Sequence, residues 1–464
     1  MIALACALLS GVGFYFSLML GDQWWLAWLA PIPVLWLAYG DSKGWVAFAA
    51  SLAAMMLGNL NAIPAYGAVM PTAVIGLILF GPSLAFAAAT MLSRRVGRTL
   101  SPLAGVFAFA ALWTTFDFLI SFAHDGAIAS PANSQVLMPL MIQSASVFGL
   151  FAITFLLGLF AAGIAMALAT RRIAPAAIAV TLLAANVAFG AWRMNEPQGP
   201  SVRVGLGVDD AHVNARTAAA TDSLVSDYAA AARKLAAQGA TFIVFPEKIA
   251  VLKPAWRDEV LKTLQRTADE THATIVIGFH EDGSEMFNAA QVFVPGGAPQ
   301  AYIKRHFVTG LEEGYTPGKG PFMLPDKTGV DICKDMDYPG MLRADSRMTH
   351  VTLLAAPAWD FDKDRIYHAR PALMRGVEEG FALARSAKQG LLTLTDANGR
   401  MIAMKRSEDA GMVTVVGDLP RGSGVTFYQR IGDIFAWLCV ALSLGLVGYT
   451  FVRRRTQVAI KKGG

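Results

Sequence analysis

Long apolar stretches cover the first part of the chain and return once near its end. From Met1 to about Trp192 most residues are Ala, Leu, Ile, Val, Phe, Gly or Met, and a second apolar run covers Ile434 to Val452. Only 16% of the 464 residues are charged, whereas soluble proteins are about one quarter charged. Between the two regions the composition is that of an ordinary soluble domain. The pattern predicts a membrane protein with one extramembrane domain.

The chain therefore divides into three parts. We predict an N-terminal transmembrane bundle of about seven helices over residues 1–194, an extramembrane domain over 195–430, and a transmembrane helix with a basic tail over 431–464. A helix needs about 20 apolar residues to cross a bilayer. Eight segments approach that length, and 124–142 has the composition of a loop that returns to the bundle. The eight are roughly 2–20, 24–40, 44–63, 70–92, 102–122, 143–169, 173–192 and 432–452.

Basic residues flank three of these spans. With eight spans all three clusters lie on one side, which the positive-inside rule makes cytoplasmic. We therefore expect a multi-pass protein of a bacterial inner membrane, with both termini in the cytoplasm and the extramembrane domain in the periplasm. The clusters are Arg94, Arg95 and Arg98; Arg171 and Arg172; and Arg453, Arg454, Arg455, Lys461 and Lys462.

Several classes of function are disfavoured. The net charge is only +5 and the basic residues flank membrane spans, which argues against a nucleic-acid partner. Cys333 is the only cysteine outside the apolar runs, so no disulfide framework is expected. The seven histidines lack ligand spacing, and "GLG" at Gly205 is not a dinucleotide fingerprint. We expect neither a metal nor a cofactor.

The extramembrane region alternates short strand-like runs with helical stretches, which predicts a mixed α/β layered domain. Three of its reactive side chains lie at strand-like runs: Glu247 after "TFIVFP", Lys304 in "AYIKRHF" and Cys333 after "VDI". Taken singly, Glu247 is typical of a solvent-exposed acid at a strand end, Lys304 of a lysine on an edge strand, and Cys333 of a small residue in the core. Together they supply a base, an oxyanion-stabilising cation and a nucleophile.

The order Glu, Lys, Cys at strand ends resembles the nitrilase (carbon-nitrogen hydrolase) superfamily, and in particular its membrane branch, the apolipoprotein N-acyltransferases. "YIKRHFVTGLE" resembles the branch's Tyr-x-Lys-x-His-Leu-Val-Pro-Phe-Gly-Glu, and "ICKD" its Ile-Cys-Tyr-Glu. "PAWDF" resembles its Asn-Asp-Ala-Trp-Phe, and "LMRGVEEGFALARSAKQG" its Met-Arg-Ala-x-Glu…Arg-x-x-Asn-x-Gly. The resemblance implies a helical membrane bundle joined to an αββα sandwich.

The resemblance also implies roles for individual residues. Glu247, Lys304 and Cys333 are the expected catalytic residues, and Glu312 is the glutamate expected to orient Lys304. Expected supporting residues are Tyr302, His306, Asp335 and Trp359. Asp335 is expected either to pair with Lys334 or to hold the loop that follows Cys333 in place. The implied activity moves a fatty acyl chain from a phospholipid, through a Cys333 thioester, to the N-terminal amine of a diacylglyceryl-cysteine lipoprotein.

Departures from the pattern keep two alternatives open. The membrane half usually carries Trp-x-x-x-Glu-x-x-Arg and then Gly-Phe-Pro-Trp, whereas this chain has Trp113 and Asp117 without that arginine or that stretch. The loop "EEGYTPGKG" is closer to soluble nitrilases. One alternative is therefore a membrane amidase using water, or an acyltransferase acting on a different amine. The other is a non-enzymatic protein that binds lipid or a partner. The presence of Glu247, Lys304, Glu312 and Cys333 together argues against it, because a binding protein has no need for all four.

Overall fold

The computed structural model describes residues 1–67, 71–122, 126–212, 214–360, 365–407 and 411–463, without the side chains of 65, 365 and 454–463. The chain forms two compact units. One combines Met1–Asn195 with Ile431–Gly464, and the other is Glu196–Arg430.

The first unit is built from apolar helices, as its composition predicts. In the described ranges six of them are long and apolar enough to cross a membrane: Gly44–Ala62, Thr72–Thr99, Pro102–Ile120, Phe151–Thr170, Ala174–Arg193 and Ile434–Arg453. The last of these continues as a helix to Gly463. The other helices of the unit are Ile2–Ser17, Leu26–Leu29, Ile32–Tyr39, Ile63–Tyr66, Pro139–Ile142 and Ala145–Phe148, with 3-10 turns at Leu60–Ala62 and Pro131–Leu137.

The first two predicted spans are shorter than expected. Ile2–Ser17 has 16 residues, and at 1.5 Å per residue it is about 24 Å long, less than the apolar core of about 30 Å. Pro31 interrupts the second because it lacks the N–H that would continue the helical hydrogen bonds. The sixth begins at Phe151 rather than at 143, after a break at Gly149, whose φ is +74°.

Several polar side chains inside this unit are paired with one another. The Asp117 carboxylate accepts hydrogen bonds from the Ser130 hydroxyl at 2.7 Å and the Thr154 hydroxyl at 2.6 Å. The Trp28 indole N–H donates to the Gln135 side chain at 2.7 Å. Because hydrocarbon offers no hydrogen bonds, such pairing stabilises the packing of polar groups between apolar helices. It also joins the described part of the predicted returning loop, 126–142, to the helices.

The second unit contains two sheets. The first has the strand order β13-β1-β2-β4-β5-β6, with β3 beside β4, and the second has β12-β11-β10-β9-β8-β7. The strands are β1 Ser201–Asp209, β2 Phe242–Val244, β3 Val251–Leu252, β4 Thr274–Asp282, β5 Met286–Phe293, β6 Gln300–Ile303, β7 Phe322–Met323, β8 Thr328–Val330, β9 Leu353–Trp359, β10 Ala382–Lys388, β11 Leu391–Thr395, β12 Met401–Arg406 and β13 Met412–Pro420.

The two sheets pack face to face through an apolar core that includes Leu206, Val244, Ala355 and Leu394. Helices Ala218–Ala237 and Pro254–Thr271 cover the outer face of the first sheet. The second sheet is contacted by helix Arg365–Glu379, which in turn packs against helix Pro339–Thr349. The unit is therefore the expected αββα sandwich. A 3-10 turn, Cys333–Asp337, and a short helix, Phe427–Ile431, complete the elements.

Candidate active site

The residues expected to be catalytic leave the two sheets at the ends of strands. Glu247 follows β2 after Pro246, which cannot donate to a sheet ladder and so ends the pairing. Lys304 directly follows β6, and Cys333 comes three residues after β8. The expected base thus comes from the first sheet and the thiol from the second.

Lys304 is buried between two carboxylates. Its Nζ lies 2.8 Å from Glu247 Oε1 and 2.7 Å from Glu312 Oε2. Burial alone would lower the pKa of Lys304, but Glu247 and Glu312 outweigh burial and hold that pKa well above its ordinary value. The amine is therefore an ammonium, and two of its three N–H donors are used, which leaves one for a ligand.

Glu312 is held by more partners than the resemblance implied. It accepts from Lys248 Nζ at 2.7 Å, from the Val308 N–H at 2.9 Å and from the Asn288 amide at 2.7 Å, in addition to Lys304. Burial raises the pKa of Glu312, but Lys304 and Lys248 lower it to about 2. Glu312 is thus ionised and fixed, as a residue that orients Lys304 must be.

Asn288 bridges the two carboxylates, since its side-chain amide also donates to Glu247 Oε1. It lies in the middle of β5 and is fully buried. Sequence reasoning missed this residue. A single amide inside the apolar run "MFNAAQVFV" was the available signal, because a buried side-chain amide in a strand needs polar partners.

Cys333 begins the 3-10 turn with φ at +42°, a left-handed conformation that costs energy in a residue with a side chain. Its Sγ lies 3.7 Å from the Trp359 carbonyl oxygen. Burial raises the pKa of the Cys333 thiol, Glu247 raises it further, and Lys304 opposes them. The resting group is therefore a thiol, and a base must remove its proton before it can attack.

Asp335 organises the segments around Cys333 and Lys304. It accepts from the Tyr302 hydroxyl at 2.7 Å and from the His306 N–H and Nδ1 at 2.9 and 3.0 Å. The alternative of a pair with Lys334 is wrong, since Lys334 lies 3.6 Å from Asp337. Asp335 holds the loop.

Those bonds explain a difference from the expected strand. We expected Lys304 to lie within the strand-like run "AYIKRHF". Instead β6 ends at Ile303, because the backbone N–H groups of Arg305 and His306 donate to Asp335 rather than to a neighbouring strand. Tyr302 and His306 contact Asp335, while Lys304 contacts the two glutamates.

Trp359 lies at the end of β9 beside the thiol. Its indole N–H donates to the Gln389 side chain at 2.8 Å. Two lysine amines lie near its ring, with Lys388 Nζ at 3.7 Å and Lys248 Nζ at 5.5 Å from the ring centroid. Neither lysine was among the expected site residues. Lys388 ends the strand-like run "FALARSAK", and Glu247 comes directly after the strand-like run "TFIVFP". This shared position at the end of a strand was a signal in the sequence that could have identified Lys388.

A buried ion pair supports the strand that carries Trp359. Arg385 NH1 lies 3.0 Å from Asp360 Oδ2, and both side chains are almost fully buried. Gly390 packs against the same carboxylate, where an added Cβ would lie only 2.3 Å from Asp360 Oδ2. Any side chain at position 390 would displace the pair, which gives this glycine of the "RSAKQG" motif a steric role.

Comparisons with known proteins agree with this architecture. Residues 10–163 match the family described as apolipoprotein N-acyltransferase N-terminal domain, and residues 210–421 match carbon-nitrogen hydrolase. The chain is 25% identical over 483 residues to an apolipoprotein N-acyltransferase of Geobacter metallireducens, with 92% of this chain and 91% of that protein covered. Along most of its length the chain is similar to apolipoprotein N-acyltransferases.

Another apolipoprotein N-acyltransferase, from Rhizobium rhizogenes, is 26% identical over 436 residues, which cover 83% of this chain and 79% of that protein. Among solved structures, an amidase from Nesterenkonia sp. aligns with a TM-score of 0.40 and 19% identity over 48% of this chain and 92% of that chain.

Within the family pattern, the structure shows where two departures lie. Lys334, in the place of the expected aromatic residue, is buried beside Asp337. Lys388 takes the place of the asparagine in Arg-x-x-Asn-x-Gly and lies against Trp359. In the described ranges no group of three or more His, Cys, Asp or Glu side chains is arranged to hold a metal ion.

Proposed function

We propose that this chain is a membrane N-acyltransferase that moves a fatty acyl chain from a phospholipid to the N-terminal amine of a diacylglyceryl-cysteine lipoprotein. The observation that carries the proposal is the placement of one ammonium, Lys304, between Glu247 and Glu312 with one N–H donor left over. A thiol, Cys333, interacts electrostatically with both Glu247 and Lys304. Acyl transfer through a thioester needs a base, an oxyanion donor and a nucleophile of these kinds.

In the first half-reaction, Glu247 removes the Cys333 proton as the sulfur attacks an ester carbonyl of the phospholipid. The carbonyl oxygen becomes an oxyanion, which accepts a hydrogen bond from the remaining N–H of Lys304. The C–O bond then breaks, and Glu247 returns its proton to the departing oxygen. The products are a lysophospholipid and an acyl-Cys333 thioester.

In the second half-reaction, the neutral amine of the acceptor attacks the thioester carbon and Lys304 again stabilises the oxyanion. Glu247 takes a proton from the attacking nitrogen. The C–S bond breaks and the proton passes to the departing sulfur, which restores the Cys333 thiol and leaves an amide on the acceptor. Glu312 stays ionised throughout and keeps Lys304 charged, consistent with its lowered pKa.

The test is the intact mass of the full detergent-purified chain after incubation with phospholipid, compared between wild type and Cys333→Ala. We expect a mass gain of one acyl chain in the wild type only. Adding a diacylglyceryl-cysteine peptide should move that acyl group to the peptide amine. Loss of the acyl group to water in the presence of the peptide would instead support the amidase, and no adduct with any phospholipid would refute the thioester.

The same proposal places the α/β unit in the periplasm, on the side opposite the basic clusters. In a Cys333→Ala background, a membrane-impermeant maleimide should label Glu285→Cys, in an exposed turn of this unit, in intact cells. Lys43→Cys, which follows the second predicted span, is the matched control and should be labelled only after permeabilisation. The reverse pattern would refute this orientation. The side chains of Arg454–Lys462 lie outside the described residues.

A further inference from the structure

Lys388 is a buried lysine at the site that the proposed mechanism does not use. It is the last residue of β10, and its side chain is fully buried. Its Nζ donates to the Lys248 carbonyl oxygen at 2.7 Å and lies 3.7 Å from the centroid of the Trp359 ring. Over the described ranges no carboxylate lies within ion-pair distance of this amine. A buried amine without such a partner is costly, which suggests a functional reason for its presence.

The two contacts of Lys388 join the two sheets at the site. Lys248 directly follows the expected base Glu247 on the first sheet and has a left-handed backbone, with φ at +46°. Trp359 belongs to the second sheet, and its carbonyl oxygen lies next to the Cys333 sulfur. The distance between base and thiol depends on contacts of this kind across the sandwich. Lys388 supplies two of the stronger kinds of polar contact, a charge-assisted hydrogen bond to the Lys248 carbonyl oxygen and a cation–π contact with Trp359.

Most of the charged groups around Lys388 form opposite-charge pairs, and the Asp210 carboxylate also acts on its amine. Lys304 and Lys248 neutralise Glu247 and Glu312, and Arg385 neutralises Asp360. A protonated Lys388 adds one positive charge to this group. In the proposed mechanism Glu247 takes the thiol proton while the carbonyl oxygen of the substrate becomes an oxyanion, so the negative charge moves and the net charge of the site stays the same. The contribution of Lys388 therefore lies in the contacts that its ammonium makes.

We propose that Lys388 is a positioning residue for the reaction of Cys333: its ammonium holds the Glu247–Lys248 turn against Trp359. The inference rests on the proposed function only in assigning Cys333 as the nucleophile. It requires neither a phospholipid donor nor a lipoprotein acceptor.

The charge on Lys388 depends on pH in the range where the reaction can be measured. Burial lowers the pKa of Lys388 to about 7, with Glu247 and Asp210 opposing this fall and Lys248 adding to it. Below that pH the amine is charged and both contacts have full strength. Above it the amine is neutral, and the hydrogen bond and the cation–π contact weaken. Faster acylation with protonated Lys388 is therefore the expected signature.

The experiment measures acylation of Cys333 in the full chain by p-nitrophenyl butyrate, followed as intact mass against time from about pH 5.5 to about pH 9. The variants are Lys388→Met, which keeps the length of the side chain without its amine, and Lys388→Arg, which stays charged at every pH. Lys405→Met is the control, since Lys405 is an exposed lysine on the edge strand β12. Dividing the wild-type rate by a variant rate at each pH removes ionisations that the two proteins share.

We expect the ratio of wild type to Lys388→Met to be about ten near pH 6, the loss expected for one charged hydrogen bond, and to fall toward one with a midpoint of about 7. Lys388→Arg should match the wild type at low pH and exceed it at high pH, while the control ratio stays at one. A ratio to Lys388→Met that does not change with pH would overturn the inference, even if Lys388→Arg fails to fold. No acylation of wild-type Cys333 would refute the nucleophile itself, a separate outcome that removes both proposals.

Discussion

Two regions of the α/β unit bury a lysine amine at the same site, and the surroundings of the two amines are opposite. The turn after β6 places Lys304 between two carboxylates, which raise its pKa above the ordinary value despite burial. The end of β10 places Lys388 against an aromatic ring and a carbonyl oxygen, and burial lowers its pKa to about 7. Burial alone therefore does not decide the charge of a lysine. The nearest carboxylate does.

The largest expected effect comes from removing the paired ammonium. Lys304→Met takes from Glu247 its ion-pair partner and leaves Glu312 with Lys248, and we expect acylation of Cys333 to slow by about 10³-fold. The variant should also be destabilised by about 3–5 kcal/mol, the usual result of breaking a buried ion pair from one side. Acylation kinetics and thermal melting measure both effects. A rate within tenfold of the wild type would show that Lys304 does not stabilise the oxyanion.

Removing the Lys388 amine should stabilise the folded chain, whereas removing the Lys304 amine should destabilise it. The pKa of Lys388 is lowered to about 7 from an ordinary 10.5, so the unfolded chain binds more protons and stability rises with pH between those values. Lys388→Met removes this penalty and should be more stable than the wild type by about 4 kcal/mol near pH 7. The gain should shrink toward pH 10.5.

Thermal melting of the full chain in detergent, at neutral and alkaline pH, measures this difference. Lys405→Met, on the exposed edge strand, should show no change at either pH. A Lys388→Met protein that melts below the wild type near neutral pH would contradict the electrostatic contrast between the two lysines.

Glu312 tests the carboxylate side of the comparison. Its pKa falls from an ordinary 4.5 to about 2 in the folded chain, so its stabilising contribution is complete above pH 4.5 and disappears as pH falls through about 2. Glu312→Gln lacks this contribution, so the wild type should be more stable by about 2 kcal/mol at neutral pH, with the difference narrowing in acid. Glu313→Gln, an exposed neighbour, is the control. Parallel acid-stability curves for Glu312→Gln and the wild type would refute the assignment.

The smallest expected effect concerns Trp359. Trp359→Phe keeps an aromatic surface beside Lys388 but loses the indole N–H bond to Gln389. We expect a loss of about 1 kcal/mol in stability and a reduction in acylation of a few-fold, since one neutral hydrogen bond is removed. Gln389→Met, which removes the other partner, should have a similar effect. An effect of Trp359→Phe equal to that of Lys304→Met would show that the ring contributes more than a packing surface.

Local patterns predicted much of the architecture. The apolar stretches of the first unit predicted helices, because a bilayer leaves a backbone few alternatives. Alternating strand-like and helical runs predicted a mixed α/β layered domain, and the family resemblance implied that it is an αββα sandwich. Two details differed from the prediction: Pro31 interrupts the second span, and Asp335 ends β6 earlier than the sequence suggested. A proline was visible in the sequence, whereas the contact with Asp335 joins residues about 30 positions apart.

The sequence by itself determined which chemical groups are present and that several lie at strand ends, because burial and chain reversal follow local composition. It also carried the motifs that resemble those of the apolipoprotein N-acyltransferases. Only the tertiary structure decided how those groups pair. Lys304 meets both glutamates and Asn288 joins them, while Lys388 is left with a ring and a carbonyl oxygen. These contacts connect strands of two sheets that are distant in sequence, and pKa values depend on such distances rather than on neighbours along the chain.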